Sequence, residues 1–171
     1  MVVAALLSII GAASAPAADM TASGLWQALD EDTHQPNAWF LIRDDGTNVY
    51  SGAIVKLFPK PGESPNPVCD QCKDDRRNRP MLGLDIIRGM KHDGMSYLDG
   101  TILDPRNGNI YNAQMTLSPD GGTLTVRGYL GISILGKNQI WTRLPETAYN
   151  EIDPRFNPGG HKPGKAGQAN R

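Results

Sequence analysis

The chain has little of what most catalytic and metal sites are built from. Its 171 residues include two cysteines and three histidines, and His34, His92 and His161 stand singly and far apart. There is no Gly-x-Ser-x-Gly elbow, no His-Glu-x-x-His pair and no Gly-rich phosphate loop, so the sequence marks of acyl transfer, zinc proteolysis and nucleotide binding are missing. The expectation is a protein that is not an enzyme and uses no cofactor and no metal. Charge of one sign is lacking too: 17 Lys and Arg face 18 Asp and Glu, a formal net charge of -1. Without a basic excess, neither nucleic acid nor an anionic membrane surface is expected as a partner. No apolar run reaches the roughly 20 residues that a membrane-spanning helix needs.

Turn formers, by contrast, are plentiful. Nineteen glycines and thirteen prolines, with aromatics at 6%, indicate many short elements joined by turns and favour an all-β chain over a helical one. The length suits one domain with tails, large enough to bury a core without leaning on disulfides.

The N-terminus runs from an apolar stretch, Val2 to Ile10, into small residues ending Ala13-Ser14-Ala15-Pro16-Ala17. That is the apolar region and cleavage pattern of a secretory signal peptide, expected over residues 1–18, although no Lys or Arg precedes it. Export then implies a periplasmic or secreted protein in an oxidising compartment.

From Gly24 to Leu144 the chain divides at turn signals into about eight strand-like runs: GLWQAL, AWFLIR, NVYSGAIVKLF, MLGLDIIRGM, SYLDGTIL, NIYNAQMTLS, TLTVRGYL and KNQIWTRL. Asp44-Asp45-Gly46, His92-Asp93-Gly94, Asp104 to Gly108 and Pro119 to Gly122 separate them, and such residues make hairpin connections. Tyr111, Ala113, Met115 and Leu117 fall on one face of their run, and Leu124, Val126, Gly128 and Leu130 on one face of the next. This spacing fits an antiparallel barrel or sandwich. Residues 19–23 form a short lead into the domain at 24–144.

Two segments do not fit strands. Residues 58–80 are too Pro-rich for a strand and too long for a hairpin, which makes them an elaborated loop of the kind that carries function. Residues 145–171 offer almost nothing to bury and are expected to be a disordered tail.

Both cysteines lie in the 58–80 loop as Cys69-Asp-Gln-Cys72. A structural zinc site would need two further ligands that the scattered histidines do not supply. A thiol-redox centre would need the first Cys on a helix N-terminus, although Lys73, Arg76, Arg77 and Arg79 would favour a thiolate. A local disulfide is the default in an oxidising compartment, and so small a ring would mainly order its own loop. The nearby cations could form an anion patch or, with Asp74 and Asp75 interspersed, a solvated face.

Gly24-Leu25-Trp26, Cys69 to Cys72, Gly83 to Ile86, Ile102 to Tyr111, Leu124 to Gly131 and Gln139 to Arg143 together resemble the exported bacterial family called domain of unknown function 2147. The resemblance implies a lipocalin-like up-and-down β-barrel of the bacterial envelope that binds a ligand. Gly24 and Trp26 at the first strand with Arg143 in the last also resemble the lipocalin closure, in which the Arg lies across the Trp ring; such a cation–π contact contributes about 0.5–2 kcal/mol.

A barrel of eight strands is either filled by side chains or holds one small ligand. The leading expectation is a small apolar molecule inside, against Ile54, Met115, Val126 and Leu130, with the cysteine loop near the mouth. The alternative is a ligand-free structural or interaction module that meets an envelope protein through residues 58–80. A thiol-redox or other enzyme stands third, with Asp85, Asp99 and Asp104 as the first carboxylates to examine.

Overall fold

A computed structural model describes residues 20–131 and 136–157; the expected signal segment lies outside them. Eight strands follow in order: β1 Gly24–Leu29, β2 Pro36–Asp44, β3 Val49–Leu57, β4 Asp85–Asp93, β5 Ser96–Asp104, β6 Asn109–Leu117, β7 Thr123–Tyr129 and β8 Lys137–Arg143. Each pairs antiparallel with the next, and β8 returns to β1, which closes the barrel. Closure leaves no open sheet edge. The hairpins are set by short polar side chains that satisfy the turn backbone: Asp44 accepts from the Gly46 amide at 2.9 Å and Asp120 from the Gly122 amide at 3.0 Å.

Inward positions alternate along the strands. Tyr97, Ala113, Met115, Leu117, Leu124, Val126 and Trp141 are buried in one interior cluster with Trp26, Tyr50, Ile87 and Met90. The base of the barrel is filled by large rings. Tyr50 and Tyr97 meet edge to face at 4.8 Å, and the chain lead crosses beneath, where the Ala22 amide donates to the Tyr97 hydroxyl at 2.7 Å. Burial pushes that phenol's pKa above its ordinary value.

The expected tail departs from the structure at its start. Residues Glu146–Glu151 and Pro154–Phe156 form 3₁₀ turns, and Ala148 and Ile152 are buried outside the barrel against Leu25, Trp39, Leu41 and Val55. These outward side chains of β1, β2 and β3 would otherwise face water, and covering them is what orders residues 145–157. Residues 158–171 lie outside the described part.

Candidate functional site

At the base, the Trp26 ring is fully buried and its indole N–H donates to the Ala22 carbonyl at 2.8 Å. Arg143, its ladder partner on β8, lays its guanidinium 4.2 Å from the ring centroid. The same guanidinium donates to the carbonyls of Gly121 (2.6 Å), Ser23 (2.7 Å) and Thr21 (2.6 Å). Gly24 makes room: its φ is +129°, and a Cβ there would stand 2.9 Å from an Arg143 nitrogen. The structure therefore brings Gly24, Trp26 and Arg143 together on the seam between the first and last strands.

The opposite half of the barrel is open. It holds a cavity of about 720 Å³, inside the range of small-molecule sites. Its apolar walls include Ala28, Ala38, Phe40, Ile54, Val126 and Trp141, with Leu57, Ile86, Ile102 and Leu103. The space exists because small residues line it where bulk would fill it: Ala28 pairs directly with Ala38, and Gly128 adds no side chain. Phe40 and Trp141 stack flat, 4.1 Å between centroids and 7° between planes.

Of the four residues expected to line the interior, Ile54 and Val126 do so. Met115 is fully buried in the packed cluster and is not part of the cavity wall. It faces inward, but next to Tyr97 in the ladder, on the filled side of the barrel. Leu130 is 67% exposed and touches the cavity only at its mouth. β7 ends at Tyr129 and the chain turns at Gly131, so the alternation that would carry Leu130 inward stops short of it.

Part of the polar lining is expected from the sequence, Tyr111 from its strand face and Asp104 as a candidate carboxylate, whereas Gln139 is not. Gln139 and Tyr111 face the cavity, and Glu31, Asp104, Arg106 and Lys137 stand at its rim. The rim charges are paired: Lys137 with Glu31 at 3.2 Å and Arg106 with Asp104 at 3.0 Å. Burial acts to raise the Asp104 carboxyl, but hydrogen bonds from Arg106 outweigh it and hold the pKa below its ordinary value. Nearby, a hydrogen bond from Lys60 and others from Thr33 hold Asp30 well below the carboxylate range. Asp85 and Asp99 do not line the cavity.

The cysteine loop reaches the same end. Cys69 and Cys72 form a disulfide with a Cα–Cα distance of 5.4 Å, and both residues are fully buried. The Cys69 Sγ lies 3.7 Å from the Pro105 carbonyl, and the loop packs so closely on the β5–β6 turn that a side chain at Gly108 would collide with the Gln71 carbonyl. Arg76, almost fully buried, holds the loop to the barrel: it chelates Asp74 and donates to the Asp85 carbonyl at 2.8 Å. Arg88 pairs with Asp75 through two bonds of 2.9 Å. Pro67 of this segment and Met81 just after it line the cavity. Among the described residues, no three His, Cys, Asp or Glu side chains gather as a metal site would require.

Two comparisons bear on this architecture. A solved structure described as protein HP1028 from the human pathogen Helicobacter pylori, of the lipocalin family, superposes with a TM-score of 0.66 at 16% identity, over 78% of this chain and 91% of that one. At that identity the likeness shows the fold: the chain is a lipocalin-like barrel. No curated protein matches the chain. Residues 24–143, from the glycine that opens β1 to the arginine that ends β8, match the family model described as an uncharacterized protein conserved in bacteria, DUF2147, and the chain belongs to that family.

Proposed function

We propose that the protein is an exported, non-catalytic binder that holds a small apolar molecule in the open half of its barrel. The observation that carries this reading is the cavity of about 720 Å³, walled by apolar side chains at one end of a barrel whose other end is packed solid. Binding there removes apolar surface from water on both partners, roughly 25 cal/mol for each Å² covered. The lipocalin likeness supports the reading at the level of fold. The signal-like N-terminus and the Cys69–Cys72 disulfide support export to a periplasmic or external compartment. No helix among the described residues is long and apolar enough to cross a membrane.

Native mass spectrometry of the protein, purified gently from its own cells, tests this directly. A stoichiometric apolar molecule released on denaturation is the expected result. An empty protein that also fails to take up apolar dyes in solution would overturn it. A second reading, an envelope protein docked on residues 58–80, draws on the exposure of Val68, Arg77 and Arg79; a specific crosslink from these positions would favour it.

A further inference from the structure

We infer that the cavity selects a neutral ligand bearing a carbonyl oxygen (an apolar ketone, ester or amide) and that the side-chain amide of Gln139 recognises that oxygen. The inference rests on the ligand-binding reading above and deepens it.

The geometry starts from the Phe40–Trp141 stack, which fixes the plane of the indole. An indole N–H can only donate, and it meets the Gln139 Oε1 at 3.2 Å. The amide is therefore turned with its oxygen toward Trp141, and its NH2 group has no hydrogen-bond partner among the described residues. Gln139 lies opposite Val126 in the β7–β8 ladder, and both residues line the cavity. Two N–H donors held by a stacked ring in an apolar wall gain most from an acceptor that the ligand brings.

Charge decides which acceptor. Arg106 and Lys137 stand at the rim, each already paired with a carboxylate, and the other polar residues of the lining, Asn37, Asn107, Tyr111, Tyr129 and Gln139, are neutral. The Tyr111 hydroxyl makes no hydrogen bond among the described residues and offers a further neutral contact nearer the mouth. A carboxylate drawn in to Gln139 would leave water without meeting a counter-charge, at a cost that one amide does not offset. A carbonyl oxygen carries no such cost.

The test uses the full chain and an apolar fluorescent dye displaced by an alkane, a methyl ketone, a methyl ester and a carboxylate of equal chain length. The ketone and ester are expected to bind about threefold to tenfold more tightly than the alkane, the range one hydrogen bond supplies. In Gln139→Met, similar in shape but without the donor, the ratio of ketone to alkane affinity within the variant should fall to about one. Gln139→Glu, assayed at a pH where the new carboxyl is ionised, keeps an acceptor for the Trp141 N–H and loses the donor, so it gives the same reading if the Met variant folds poorly. Equal affinity for ketone and alkane, a carboxylate that binds tightest, or a preference that survives in both variants would overturn the inference and leave barrel binding standing. Failure of every compound, dye included, would instead overturn the binding reading itself.

Discussion

Arg143 holds the Trp26 ring under its guanidinium at 4.2 Å while its N–H groups occupy three backbone carbonyls, those of Thr21, Ser23 and Gly121. One side chain thereby ties β1, β8, the chain lead and the β6–β7 turn together. Burial lowers the Arg143 pKa, but a guanidinium stays charged throughout the ordinary pH range.

Arg143→Lys keeps the charge and loses the planar fork, so it cannot serve three carbonyls at once. Urea unfolding should show a loss of about 2–3 kcal/mol for Lys and more for Ala, since each orphaned buried carbonyl adds to the cost. Unchanged midpoints in both variants would remove Arg143 from the closure.

Ala38→Leu should fill the cavity. Ala28 lies directly opposite Ala38 and both line the open space, so a longer side chain extends into it without displacing packed neighbours. Dye affinity should fall about tenfold or more, with stability changed by less than about 1.5 kcal/mol. Full retention of affinity would place the binding site elsewhere.

Acid should loosen the cysteine loop before the barrel. Hydrogen bonding to Arg76 lowers the Asp74 carboxyl from 3.8 to about 2. A carboxyl with a lowered folded-state pKa binds fewer protons folded than unfolded, so its contribution is complete above pH 3.8 and is lost as the pH falls toward 2. Amide exchange across residues 66–82 should quicken in that window, and Asp74→Asn should show the fast rate already at neutral pH. Equal protection in both proteins would contradict this.

Cys69→Ala with Cys72→Ala should lower the melting temperature by about 5 °C, because so short a loop has little chain entropy to remove. Dye binding should persist. Loss of binding at full stability would move the disulfide into the function and reopen the thiol chemistry.

The strands were legible because their periodicity and their turns agreed: Tyr111 to Leu117 and Leu124 to Gly128 alternate cleanly, and the hairpin glycines fall between runs. The covered outer face was less plain. Ala38 to Ile42 is an unbroken apolar run, which marks a strand buried on both sides, and its cover comes from residues such as Ala148 and Ile152 in a stretch too polar to stand out. Gln139 was hidden for a different reason. In β8 the adjacent apolar residues Ile140 and Trp141 point opposite ways, and only pairing with β7, Trp141 beside Leu124, decides that Ile140 goes to solvent and Gln139 goes inside. That is tertiary information, and no local pattern contains it.

The three tryptophans report on three separate neighbourhoods. Trp141 borders the cavity and sits on Phe40, Trp26 lies beneath Arg143 at the seam, and Trp39 faces out, under Lys56 at 4.0 Å and beside the C-terminal turns. Single-tryptophan versions of the chain would therefore turn its own fluorescence into three independent gauges: one for occupancy, one for the seam and one for the outer cover.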